Sequence, residues 1–217
     1  MTKDVLTKIA RSNIEVVILD IDGTLKDLCG EHDYALINTL NEYCVGSKKR
    51  KLILTLNWLA MSMVKTGLIS TNHSKQKILT ILFSTLACVD HERFVKSYFK
   101  NYKEEISLFD GVYDSLKSLS INKTIYFATT NKRNYDLGKY GIPQSQIVYT
   151  TEKFKLSTYK NLIEKLNVPN NKIVIVGDNI FDDMISAKIL GTKYLLVNNY
   201  NSRFKQIVSK VINRHLK

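Results

Sequence analysis

The chain has 217 residues, 44% hydrophobic and 24% charged, an ordinary globular mixture that excludes a disordered, collagenous or membrane-spanning chain. A chain of this length buries enough surface to fold without disulfide or metal staples. Its unusual feature is charge: 32 Lys and Arg oppose 20 Asp and Glu, a net +12, which raises a nucleic-acid partner as one reading. Three cysteines, Cys29, Cys44 and Cys88, form no CxxC pair and suit a reducing cytosol. With no apolar leader and no 18-residue apolar run, the expected location is cytoplasmic, without a membrane partner.

In chain order, the first strong element is Glu15–Asp20, an apolar run that ends in a carboxylate and is followed by Ile21-Asp22-Gly23-Thr24-Leu25. Such runs read as central parallel strands buried on both faces. From about Glu31 to about Glu105, apolar residues recur at helical spacing, with no proline and only Gly46 and Gly67. This stretch predicts several helices and almost no strand. Trp58 and the Met61/Met63 pair are expected in its core, and His32 in solvent. The run Lys48-Lys49-Arg50-Lys51 reads as a solvated helix end or loop.

Past Phe109-Asp110-Gly111 the pattern alternates. Helix Val112–Leu119, strand Thr124–Ala128, helix Tyr135–Lys139, strand Ile147–Thr150 and helix Thr158–Leu166 are expected. Strand Lys172–Val176, helix Asp182–Leu190, strand Tyr194–Val197 and a final helix over about Arg203–Leu216 follow. Strands alternating with helices predict an α/β fold: a Rossmann-like parallel sheet with helices on both faces. A helical module interrupts it once, so residues 1–28 and 106–217 form the core and 29–105 the insert.

Ligands of open parallel sheets sit beyond the carboxyl ends of the strands. There the sequence offers Asp20 and Asp22, then Thr129, Thr130 and Asn131, then Asp178 with Asp182 and Asp183. Several carboxylates at one edge repel unless a cation neutralises them. Oxygen ligands without His or Cys suit Mg²⁺.

Asp20-Ile21-Asp22-Gly23-Thr24-Leu25 resembles the DxDGTL signature of the haloacid dehalogenase superfamily, specifically of its phosphatases. Gly177-Asp178-Asn179-Ile180-Phe181-Asp182-Asp183 resembles that family's acidic motif, and Thr130-Asn131 its Thr/Ser motif. The resemblance implies a Mg²⁺-dependent phosphatase with a helical cap, like the phosphoglycolate-type branch, acting on a small phosphorylated metabolite. It implies Asp20 as nucleophile and metal ligand, Asp22 as general acid/base and metal ligand, and Asp178 and Asp183 as metal ligands, with Asp182 the alternative to Asp183. It implies Thr130 in phosphoryl binding, with Gly23, Thr24 and Asn131 lining the phosphate site. The family's Lys-Pro-x-Pro motif is met by Lys153-Phe154-Lys155-Leu156, without either proline; Lys153 is the expected lysine and Lys155 the alternative.

Within the resemblance, Asp22 argues against dehalogenases, which carry Tyr there and use no metal. A sugar phosphomutase shares the same nucleophile and is the alternative enzyme. A nucleic-acid end phosphatase and a non-catalytic binding protein are further alternatives. The insert, Glu31–Glu105, holds 11 Lys and Arg against 7 Asp and Glu, so the basic charge is spread over the chain and no nucleic-acid partner is expected.

Overall fold

The computed structural model describes residues 2–67, 73–102, 108–129, 143, 146–149 and 156–200. The chain divides into two compact units. Met1–Asp27, Thr66–Ile69 and Ile106–Lys217 make the first; Leu28–Lys65 and Ser70–Glu105 make the second. The predicted elements Tyr135–Lys139 and Arg203–Leu216 lie outside the described residues.

Among the described residues the first unit holds a five-stranded sheet. Strands β1 (Val16–Asp20), β2 (Thr124–Thr129), β3 (Ile147–Tyr149), β4 (Ile173–Gly177) and β5 (Lys193–Leu196) lie in the order β3-β2-β1-β4-β5. Every pairing is parallel. β1 and β4 are buried along their whole length, as strands covered on both faces must be.

Alternation along the strands divides the core in two. Val17, Leu19, Val174 and Val176 face one way, towards helices α1 (Thr2–Ala10) and α6 (Val112–Ser120), where Leu6, Ile9, Leu116 and Leu119 are buried. Val16, Ile18, Ile173 and Ile175 face the other way, towards α7 (Leu156–Lys165) and α8 (Ser186–Ile189), which bring Tyr159, Ile163 and Ala187. The sheet is thus Rossmann-like, as its alternating strands and helices require. Helix α1 is absent from the expected elements. Its apolar positions, Val5, Leu6 and Ile9, are few, and their burial depends on α6.

The expected helix Asp182–Leu190 differs in kind. Ile180–Ile185 is a π-helical turn, and only Ser186–Ile189 is α-helical. The Asn179 side chain caps the wide turn by accepting from the Phe181 and Asp182 amides, both at 2.9 Å.

Among the described residues the second unit holds four helices, α2 (Leu28–Glu42), α3 (Ser47–Lys65), α4 (His73–Ala87) and α5 (His91–Asn101). α2 packs on α3 and α5, and α4 on α3 and α5, so the four enclose a core that includes Leu36, Leu40, Ile53, Phe83, Phe94 and Tyr98. Asp90 caps α5 by accepting from the Arg93 amide at 3.0 Å.

Two expectations fail here. His32 is buried, its Nδ1 bonded to the Tyr98 hydroxyl and its ring edge-on to Tyr102, because its position on α2 faces α5. Met61 is in the core as expected, but Trp58 and Met63 are not; Trp58 is 63% exposed. The buried stripe of α3 is Ile53, Asn57, Met61 and Val64, and Trp58 lies one residue past it, turned outward by the helical step of about 100°.

Leu19→Ala, at a fully buried site on the central strand, should lower stability by about 3–4 kcal/mol in urea denaturation. Ile121→Ala, at a position 75% exposed, should stay within about 0.5 kcal/mol of the parent.

Glu42, at the end of α2, accepts hydrogen bonds from Ser97 and from Asn101, the latter at 2.9 Å, and these hold its carboxyl below the usual carboxylate range. A depressed folded pKa means stability that is present above the ordinary value of about 4.3 and lost as pH falls through the depressed one. Glu42→Gln should therefore flatten the acid limb of the stability–pH curve, with the difference from the parent shrinking as pH drops through that window.

Candidate active site

The strand order reverses between β1 and β4, because the chain winds outward through β2 and β3 and then returns to the other side of β1. The carboxyl ends of β1 and β4 are therefore the switch point at which a doubly wound sheet leaves a crevice. Asp20 is the last residue of β1, and Asp178 follows β4 directly.

Asp20, Asp178 and Asp183 are all buried, and each presents a carboxylate oxygen within 4.8 Å of the other two. Asp183 is fully buried. Its Oδ1 accepts from the Tyr159 hydroxyl at 2.7 Å and its Oδ2 from the Asn179 amide at 3.2 Å. Of the two acidic residues in the π-helical turn, the geometry brings Asp183 into the group; Asp182 is buried beside it and is not a member.

The loop after β1 is built by its own backbone. Leu25 and Lys26 amides donate to the Ile21 carbonyl, at 2.9 and 3.2 Å, and the Gly23 amide donates to the Lys26 carbonyl at 3.0 Å. Gly23 takes φ +80°, and a Cβ there would stand 2.5 Å from Asp178 Oδ2. The loop places Thr24 so that its hydroxyl donates to Asp20 Oδ2 at 3.0 Å. Asn199 braces the loop from behind, its amide donating to the Thr24 carbonyl at 2.8 Å and the Gly23 carbonyl at 3.2 Å.

Asp22 is held by two groups that the sequence reading did not assign. The Thr129 hydroxyl donates to its Oδ2 at 3.2 Å, and Lys26 Nζ lies 3.3 Å from its Oδ1. Lys26 is 1% exposed, so its cation is committed to this site. Thr129 ends β2, and the sequence offers it only as one of three polar residues at that strand end, with no partner assigned. Lys26 carried no signal beyond its closeness to Asp22 in sequence. Tyr159 was read only as part of a helix. Thr130, Asn131, Lys153 and Lys155 lie outside the described residues.

Three buried carboxylates with no histidine or cysteine among them form a hard, oxygen-only donor set. That set fits a divalent cation such as Mg²⁺.

A doubly wound parallel sheet with an acidic centre at its switch point, interrupted in sequence by a helical module, defines a Rossmann-like α/β core. Residues 17–197 match the family model of the haloacid dehalogenase-like hydrolases, and the chain belongs to that family. No curated protein matches it by sequence.

Among solved structures it is similar to YfnB of Bacillus subtilis, a magnesium-bound crystal form. Identity is 16%, coverage 92% of this chain and 99% of that one, and TM-score 0.64. A Haemophilus somnus protein, described as a predicted phosphoglycolate phosphatase, is 16% identical over 92% of this chain and 93% of its own, with TM-score 0.64. A dehalogenase solved with an intermediate complex is 16% identical over 88% of each chain, with TM-score 0.56. At these identities the likenesses show the fold.

Gly177 approaches Asp183 so closely that a Cβ there would lie 2.7 Å from the Asp183 Cβ and overlap its carboxyl group. Gly177→Ala should therefore displace Asp183 and lower stability by about 1–3 kcal/mol in denaturant melts.

Proposed function

We propose that the protein is a Mg²⁺-dependent phosphatase that hydrolyses a small phosphomonoester through an aspartyl-phosphate on Asp20. The observation that carries this reading is the pairing of Asp20, inside the three-carboxylate group, with a second carboxylate, Asp22, two residues on and held separately by Lys26 and Thr129. Two carboxylates in different surroundings suit two roles, nucleophile and acid/base. Magnesium held by Asp20, Asp178 and Asp183, with the Asp22 backbone carbonyl, would neutralise charge on the phosphoryl group.

The protein's own groups then account for the proton and bond changes. The Thr24 hydroxyl fixes the plane of the Asp20 carboxylate. An Asp20 oxygen attacks phosphorus as the bond from phosphorus to the ester oxygen breaks, and Asp22 in its acid form gives that oxygen its proton. Asp22, now a carboxylate, takes a proton from water. The water oxygen bonds to phosphorus, the phosphorus–Asp20 bond breaks, and inorganic phosphate leaves with Asp20 regenerated. Lys26 and Thr129 orient Asp22 for both transfers. Thr130 and Asn131, with Gly23 and Thr24, complete the phosphate site in this reading, and Lys153 or Lys155 supplies a cation to the phosphoryl oxygens.

The dehalogenase fold neighbour does not redirect the proposal, because Asp22 stands where the sequence resemblance assigns tyrosine to dehalogenases. The cytoplasm, where phosphorylated metabolites and magnesium are both present, is the proposed location.

Pure protein should release phosphate from p-nitrophenyl phosphate with Mg²⁺ and stop when the metal is chelated. Asp20→Asn should lose about a thousandfold or more in turnover. Activity retained in Asp20→Asn would overturn the mechanism, and phosphoryl return to a sugar phosphate without phosphate release would make the enzyme a mutase.

A further inference from the structure

Trp58, expected in a core and found in solvent, shares its helix with a separate exposed apolar stripe, about a third of a turn round from it. On α3, Leu52, Leu59 and Met63 are exposed at the spacing i, i+7, i+11, one face of the helix. On α4, Ile78, Ile81 and Leu82 are exposed at i, i+3, i+4, while Thr80, Phe83, Ser84 and Ala87 are buried on the opposite side. Ile78 is 66% exposed. Solvent-facing stripes of large aliphatic side chains on consecutive helices mark a contact surface more than scattered surface apolar residues do.

The same helices carry a one-sided charge. From Tyr43 to Val89 the sequence has seven Lys and Arg and no Asp or Glu. Four of these cations, Lys48, Lys49, Arg50 and Lys51, crowd the first turns of α3. There the helix dipole opposes them, so helix stability does not explain their placement. Lys49 and Arg50 meet neutral acceptors, Cys88 Sγ at 2.9 Å and Asn41 Oδ1 at 2.6 Å, which leave the charge uncancelled. Arg50 and Lys51 border a shallow, open cleft along α3 itself with the hydroxyls of Ser47 and Thr55, and Leu54 and Trp58 are its apolar side.

We infer that the α3–α4 face of the helical module docks on the surface of a bilayer carrying anionic phospholipid headgroups. The cations and hydroxyls of the cleft meet headgroup phosphates, Trp58 sits at the headgroup level, and the aliphatic stripes enter the acyl boundary. Charge complementarity chooses this occupant. A second copy of the chain, brought face to face by two-fold symmetry, would set cations against cations with no acid on α3 or α4 to pair them. A single-stranded nucleic acid would meet the cations but leave the Leu, Ile and Met stripes facing phosphate and sugar, with one aromatic ring to stack on. No helix among the described residues is long and apolar enough to cross a membrane, and a surface contact needs none. The sequence expectation of no membrane partner rested on the lack of a spanning run, so it does not bear on this face.

Trp58 is the sole tryptophan, so its fluorescence reports on this surface directly. Titration of the full chain with vesicles of phosphatidylcholine mixed with phosphatidylglycerol should blue-shift the emission and co-sediment the protein. Pure phosphatidylcholine vesicles should bind at least tenfold more weakly, and added salt should weaken the anionic binding. Lys48→Gln with Lys51→Gln should lower the partition constant about thirtyfold, roughly five- to sixfold per lysine removed. Leu59→Glu with Ile78→Glu, both at exposed sites, should abolish partitioning while leaving the circular dichroism spectrum and melting temperature near those of the parent. The inference is overturned by a lack of binding to the anionic vesicles, by equal binding to both compositions, or by partitioning that survives Leu59→Glu with Ile78→Glu. A blue shift produced by oligonucleotide but not by vesicles, or by raising protein concentration alone, would also overturn it.

Discussion

Three carboxylates that share one buried space are the constraint around which the sheet is arranged. Two ionised groups about 4 Å apart near a protein surface repel by roughly 4 kcal/mol, so Asp20, Asp178 and Asp183 do not collect by themselves. The parallel register of β1 with β4 forces the first two together, since both strands stop at the same level of the sheet. The third arrives on the π-helical turn and is gripped by Tyr159 from α7 and by the Asn179 amide. Small residues make the approach possible: Gly23 lies against Asp178, and Gly177 against Asp183. Apolar strand packing supplies the force that holds like charges close, in a donor set that fits a cation.

The same logic separates Asp22 from the trio. Two residues past Asp20, it has turned towards a different set of partners, a buried lysine and a threonine hydroxyl. One short loop thus presents two carboxylates in unlike electrostatic settings, which acid/base work beside a nucleophile requires.

Much of this was legible from residue order. Asp20 and Asp178 each end a long apolar run, and strand ends in a parallel sheet are where ligands gather. The alternation of strands and helices predicted the Rossmann-like core. What was not legible depends on phase. A π-helical turn holds more residues than an α-helical one, so spacing alone left Asp182 as an alternative to Asp183. Helix α3 is apolar on almost every side, so nothing in its sequence says that Ile53, Asn57 and Met61 face inward while Trp58 faces out. His32 looks like a surface residue by type; only the packing of α2 on α5 buries it. Lys26 defeats the reading by composition altogether, because a lysine 1% exposed is rare unless paired.

Asn199 ties the loop of the site to the far end of the described chain. Its amide reaches Thr24 across 175 residues, and its side chain also meets Thr2, which opens α1. On a ribosome adding about 5–20 residues each second, the DGT loop emerges roughly ten seconds or more before the residue that braces it. β1, destined for the middle of the sheet, waits through most of that interval for β4. The nascent chain therefore carries β1 with both edges unpaired until β2 emerges and with one edge still open until β4 does, and the Asn199 brace on the loop of the site can form only after both.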